Sequence, residues 1–242
     1  MGTQTQYRCD VSGSIEEKDY RLAMSIRICP SILTLEKSLI LPELERVSAV
    51  ADLLHLDVMD GKFVPATTFS LEESQVIING TSLGTDAHLM VEDSDYWGPR
   101  YAELGCTSVT IHVESTKNIE NTVRAIRKFG SRASIAIKPK TPIEAYEEYL
   151  PFVDMVLIMT VEPGAGGQKF MEEMMEKVRR VRSLIGSRDI WLQVDGGINI
   201  STIEIAADAG ADTFVAGSAV FNAQDPAAMV ESLRLLAQPV AE

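Results

Sequence analysis

The chain has 242 residues, 45% of them hydrophobic and 24% charged, the balance of a globular protein with material for a sizeable core and no signature of disorder. With 22 Lys and Arg against 35 Asp and Glu the formal net charge is −13, which argues against a nucleic-acid or anionic-membrane binder and leaves any anionic ligand dependent on local donors. Cys9, Cys29 and Cys106 are too few and too widely spaced for a disulfide framework or a zinc ribbon, and no apolar run approaches the roughly 20 residues of a membrane span. A reducing, cytoplasmic setting is expected.

Residues 1–24 carry Glu16, Glu17 and Asp19 and no apolar stretch, so they read as a polar, mobile extension rather than a secretion leader. From Ser25 onward, apolar β-type runs alternate with amphipathic ones. The strand candidates are SIRICPSI (25–32), LLHLDV (53–58), TDAHLMV (85–91), SVTIHV (108–113), ASIAIKP (133–139), DMVLIMT (154–160), IWLQVD (190–195) and TFVAGS (213–218). Helical stretches include LPELERVSAVA (41–51), NIENTVRAIRKF (118–129), MEEMMEKVRRVRSLI (171–185) and ISTIEIAADA (200–209). The strand runs are nearly continuous in apolar residues, as in a parallel sheet covered on both faces. Eight such alternations without an internal linker predict a single-domain (β/α)8 TIM barrel over 25–242, with an open doubly wound sheet as the alternative.

The polar residues of this pattern collect at strand C-termini: Ser31, His55, Asp57, His88, His112, Lys138, Asp195 and Ser218. That rim carries the active site in α/β barrels. His55 and Asp57 are two apart and project to one side of an extended chain. With His88 and Asp195 they make a mixed N/O set suited to one divalent ion, Zn, Fe, Mn or Co. Met59, Met90 and Met159 sit near strand ends, either lining a pocket or filling core. Asp60 and Lys138 read as supporting or loop residues, and His112 as structural.

Glycine-bearing loops follow three neighbouring strands: TVEPGAGGQKF (160–170), with Gly164, Ala165, Gly166 and Gly167, then Gly196-Gly197, then Gly217-Ser218. Bare backbone amides in such turns can hold a phosphate without a basic patch, and barrels often bind phosphate after their seventh and eighth strands. A phosphorylated substrate is expected; no nucleotide fingerprint is present.

Taken in order, HLDVMDGKFVP, DAHLMVED, TIHVES, AIKPKTP, LIMTVEPGAGGQKF, LQVDGGI and FVAGSAVF resemble the ribulose-phosphate 3-epimerase family over about residues 25–222. The resemblance implies a cytoplasmic, homo-oligomeric, divalent-metal isomerase of the pentose phosphate pathway that interconverts D-ribulose 5-phosphate and D-xylulose 5-phosphate. By position, His55, Asp57, His88 and Asp195 match the family's metal ligands, and Asp57 and Asp195 its acid/base pair. Ser31 and His88 match substrate contacts, and Gly164 to Gly167, Gly196, Gly197, Gly217 and Ser218 its phosphate cradle. Departures lie in loops: Thr34-Leu35-Glu36-Lys37 replaces a short S-A-D-F-like stretch, Ala165 an aromatic, and Ala66 an asparagine. The competing readings are a 3-epimerase of D-allulose 6-phosphate, a metal-free sugar-phosphate isomerase or lyase, and a non-catalytic barrel.

Overall fold

Strands and helices alternate through the computed structural model, which describes residues 25–238; the expected extension over 1–24 lies outside them. In chain order the elements are β1 (Arg27–Pro30), α1 (Ile40–Val47), β2 (Leu54–Met59), α2 (Leu71–Asn79), β3 (Thr85–Met90), α3 (Ser94–Glu103), β4 (Ser108–His112), α4 (Ile119–Arg127), β5 (Arg132–Ile137), a 3-10 segment (Ile143–Phe152), β6 (Met155–Met159), α5 (Met175–Ile185), β7 (Trp191–Asp195), α6 (Ile203–Asp208), β8 (Thr213–Ala216), α7 (Ser218–Phe221) and α8 (Pro226–Leu236). All eight strands are parallel, in the order β1-β8-β7-β6-β5-β4-β3-β2. The ring closes between β1 and β2 through a parallel bridge of Ser31 with His55. Beside it the Asp52 N–H donates to the Ile28 carbonyl at 3.1 Å. The (β/α)8 barrel expected from the alternation is the observed fold.

The strands fall within a few residues of their sequence-based limits. The sequence reading names no helix over α2, α3, the 3-10 segment or α8. Two of these hide because Pro99 and Pro151 sit inside them and spoil the helical periodicity. Both others carried a local signal: Ser70 and Glu73 form a reciprocal capping box at the start of α2, and Asp225 caps α8 ahead of Pro226.

Parallel pairing makes the two faces of each strand unequal. One alternating set, including Ile28, Leu54, Leu56, Leu89, Val109, Ile111, Ile135, Val156, Leu192, Val194 and Phe214, packs with helix residues such as Leu44, Ile126, Val178 and Leu233 in one apolar jacket. The other set faces the lumen, and here the near-continuous apolar character expected from sequence gives way to a period of two in polar residues. Register places His55 beside Asp86, Asp57 beside His88, and His88 beside Thr110. Across the lumen the Gln193 Nε2 donates to Asp86 Oδ2 at 2.8 Å. His55, Asp86, His88, Thr110 and Gln193 are all fully buried, and buried polar groups persist by satisfying one another. At the N-terminal end, the guanidiniums of Arg27 and Arg132 lie 4.0 and 3.8 Å from the Trp191 ring centroid and plug the barrel.

The jacket supplies the apolar burial that stabilises the ring. Phe214 is fully buried there, so Phe214→Ala is expected to lower the unfolding free energy by about 3–5 kcal/mol. Val76→Ala, at a position 65% exposed, should stay within about 0.5 kcal/mol. Urea denaturation of both variants checks the difference.

Candidate active site

His55, Asp57, His88 and Asp195 meet at the C-terminal end of the barrel. One ligand atom from each lies within 4.8 Å of all the others. His55 Nε2 is 3.4 Å from Asp57 Oδ1 and 3.9 Å from Asp195 Oδ2, and His88 Nδ1 is 3.2 and 3.6 Å from the same two atoms. Both imidazoles are fully buried, while Asp57 and Asp195 reach the floor of the cavity above.

Each member is fixed from behind. The His55 Nδ1 pairs with Asp86 Oδ2 at 2.9 Å. That same oxygen accepts from Gln193 Nε2, and Asp86 Oδ1 accepts from the Thr110 hydroxyl at 3.4 Å. A carboxylate only accepts, so the His55 proton stands on Nδ1 and its Nε2 presents a bare lone pair to the cluster. This Nε2 is buried and has no hydrogen-bond partner, an arrangement that costs free energy unless something fills it. The Ser31 hydroxyl donates to Asp57 Oδ2 at 2.7 Å, which turns Oδ1 toward the two imidazoles. Four donors of mixed N/O type around one point, with an orphaned nitrogen among them, fit a divalent cation.

The electrostatics separate the two acids. Burial disfavours the charge on Asp57, but His55 and His88 beside it outweigh burial and hold its carboxyl well below the usual range. For Asp195 burial prevails, the Asp57 charge adds to it, and the carboxyl is pushed up to about 6. His55 is raised above its ordinary value: burial opposes the charge, and Asp57 and Asp86 overcome it. Two carboxyls in one site with different proton affinities are the raw material of paired acid/base chemistry.

Above the cluster opens a cavity of about 300 Å³, the lower end of the size range for small-molecule sites. Its wall contains Ser31, Met59, Met90, Met159, Gly217, Ser218 and every residue from Gly164 to Gly167 and from Gly196 to Asn199. The Gly197 backbone has φ +70°, and a Cβ there would lie 2.6 Å from the Phe170 nitrogen. No other residue fits that turn, and the amide edge stays bare. Met59 and Met90 pack with Val64, Leu33, Phe63 and Ala66, and Met159 packs with Ala136, Leu157 and Val161. The methionines therefore both line the cavity and belong to small apolar clusters. Thr34 and Ala165, two of the departures noted in the sequence, face the same cavity.

His88 does not line the cavity; its Nε2 faces His112 Nε2 at 2.9 Å. His112, which carried no partner in the sequence reading, pairs through Nδ1 with Glu114 Oε2 at 3.1 Å. Asp60 braces a loop, accepting from the Lys62, Phe63 and Glu92 N–H groups, and Lys138 Nζ lies 3.6 Å from the Phe63 ring centroid. Sequence reasoning missed Asp86, Gln193 and Glu114. Each lies two residues from a strand-end His or Asp, so the period of two that paired His55 with Asp57 was available to find Asp86 and Gln193.

A closed parallel barrel with two acids and two imidazoles converging under an open cavity at its C-terminal rim defines an α/β-barrel enzyme whose rim carries a cluster that could hold a cation. The chain belongs to the ribulose-phosphate 3 epimerase family, whose model matches residues 27–221. It is 48% identical over 209 residues to ribulose-phosphate 3-epimerase of Mycobacterium bovis, covering 86% of this chain and 91% of that one. It is 42% identical over 221 residues to the cytoplasmic isoform of ribulose-phosphate 3-epimerase from Oryza sativa, covering 88% and 94%. Among solved structures, 3-hexulose-6-phosphate synthase from Salmonella typhimurium superposes with a TM-score of 0.66 at 18% identity, over 88% of this chain and 98% of that one, a likeness of fold alone.

Because Asp86 holds the His55 proton away from the cluster, Asp86→Asn is expected to weaken zinc binding about 10–100-fold. Competition against a chromophoric chelator measures it.

Proposed function

We propose that this protein interconverts D-ribulose 5-phosphate and D-xylulose 5-phosphate by epimerisation at C3, within the pentose phosphate pathway. The observation that carries the reading is the pair of carboxylates, Asp57 on β2 and Asp195 on β7, that both reach the cavity floor. Inverting a carbon beside a ketone needs a base on one side of a planar enediolate and an acid on the other. Asp57 and Asp195 come from non-adjacent strands of the ring, so one is suited to removing the proton and the other to returning it, and the roles exchange in the reverse direction.

His55, Asp57, His88 and Asp195 would hold one divalent ion of the Zn, Fe, Mn or Co group. Such an ion supplies Lewis-acid stabilisation of the charge that develops on the ketone and hydroxyl oxygens. The chain's own side chains do the rest. Ser31 orients Asp57, and the methionine clusters exclude water from the acids. The glycine turns at Gly164 to Gly167, Gly196-Gly197 and Gly217-Ser218 offer amide edges to the phosphate, which a molecule of net charge −13 cannot attract with its surface. The same reading places the enzyme in the cytoplasm as a homo-oligomer; Cys29 and Cys106 are buried free thiols, in keeping with a reducing compartment.

The decisive assay adds zinc, Fe(II), manganese or cobalt back to stripped protein on D-ribulose 5-phosphate. Full activity in strong chelator with no bound metal would remove the cation from the mechanism. A higher kcat/KM on D-allulose 6-phosphate would shift the substrate to a ketohexose phosphate. Asp57→Asn and Asp195→Asn should each lower kcat by about 10²–10⁴-fold, with C3 proton exchange in D2O surviving from at most one epimer. Gly197→Ala should chiefly raise KM, because its Cβ displaces the turn at Phe170; an unchanged KM would remove that turn from phosphate binding.

A further inference from the structure

Beside the four-ligand cluster stand two further titratable side chains. His112 is fully buried, and Glu114, whose side chain is 19% exposed, lies against it; neither lines the cavity. They form a single file that ends at the cation site: Glu114 Oε2 to His112 Nδ1 at 3.1 Å, His112 Nε2 to His88 Nε2 at 2.9 Å, and His88 Nδ1 to Asp57 Oδ1 at 3.2 Å. The other oxygen of Glu114 is anchored separately, accepting from the Lys138 N–H at 3.0 Å and the Thr141 hydroxyl at 2.5 Å.

We propose that Glu114 and His112 are positioning residues that act through two imidazole rings to keep the proton of His88 on Nε2, so that its Nδ1 meets the metal as a bare lone pair. The inference rests on the reading of His55, Asp57, His88 and Asp195 as a metal centre. A carboxylate can only accept, so the His112 nitrogen facing Glu114 carries the proton. With one proton on the ring, His112 Nε2 is an acceptor, and an atom 2.9 Å from it must donate. His88 therefore bears its proton on Nε2. Its Nδ1 then confronts Asp57 Oδ1, acceptor against acceptor at 3.2 Å, a contact that a cation between them relieves. Both rings are shut off from solvent, and the Phe63 ring, 4.7 Å from His112 between centroids, covers the file. Water cannot scramble the two tautomers there.

The two metal-facing histidines are thus set by different devices. His55 is fixed in one step by Asp86 and presents Nε2, whereas His88 is fixed in two steps by Glu114 and presents Nδ1. If the file ran in the opposite direction, His88 would donate from Nδ1 to Asp57 and the centre would lose one of its four ligand atoms with no residue displaced.

Glu114→Gln tests this directly. The Lys138 N–H is a fixed backbone donor, so the amide oxygen of glutamine must face it, which leaves the NH2 group facing His112 Nδ1. The proton of His112 then moves to Nε2, and that of His88 to Nδ1. The full chain has only three histidines, so long-range 15N–1H spectra of the zinc-loaded protein resolve each ring. In the wild type, His112 is expected as the Nδ1–H form and His88 as the Nε2–H form with Nδ1 metal-bound. In Glu114→Gln, zinc affinity by chelator competition should fall about 10–100-fold, with the His88 pattern reversed in the fraction left unbound. His112→Phe, which removes the acceptor for His88 Nε2–H and keeps the ring shape, should weaken zinc similarly. It also carries the test if Glu114→Gln does not fold. Zinc affinity within twofold of wild type in both variants, or an Nε2–H His112 in the wild type, would overturn the relay while leaving the metal centre standing. Failure of the wild type to bind zinc would overturn both.

Discussion

Two carboxylates and two imidazole lone pairs are held inside one 4.8 Å neighbourhood at the barrel mouth, and much of the structure serves to keep them there. Left alone, such a group repels itself and strands a buried nitrogen at His55. A cation resolves both problems, and the barrel supplies the rigidity that prevents the side chains from relaxing apart. The cost of the arrangement is spread over neighbours: Asp86, Gln193 and Thr110 behind His55, Ser31 behind Asp57, and His112 with Glu114 behind His88. Satisfied polar networks of this kind fix a unique geometry, which a catalytic centre needs more than it needs stability.

The barrel separates the tasks by facing. Outward strand residues pack against helices and provide the apolar burial, while lumen residues carry the polar network and the candidate site. A substitution in one compartment can therefore change stability with little effect on the centre. Over the mouth, the glycine turns after β6 and β7 and the Gly217-Ser218 turn after β8 surround the cavity with backbone edges. Amide dipoles of this kind act at contact distance, whereas the net charge of an acidic protein acts through solvent and is screened. Thr34 and Ala165 border the same opening.

Much of the site was legible because β-strands present alternate residues to one side. HLDVM puts His55, Asp57 and Met59 in one row by local geometry alone. The same rule, applied to TDAHLM and WLQVD, selects Asp86 and Gln193 with His88 and Asp195, although these were not singled out from the sequence. His112 was read as unpartnered because His88 is identified as its partner only once β3 and β4 lie side by side, although its other partner, Glu114, stands two residues away in the chain. The helices α2 and α8 were signalled by Ser70 with Glu73 and by Asp225 before Pro226, whereas Pro99 and Pro151 masked the segments they occupy.

The sequence by itself determined the alternation of strand and helix, the (β/α)8 class, the acids and imidazoles gathered at strand ends, and the glycines of the rim, since each of these depends on near neighbours in the chain. Only the tertiary structure decided which nitrogen of each histidine faces the centre, which acid is raised and which is lowered, and that Glu114 stands behind His88. Those outcomes depend on contacts between strands, such as His88 with His112 and Asp86 with Gln193, 24 and 107 residues apart in sequence, which no local pattern encodes.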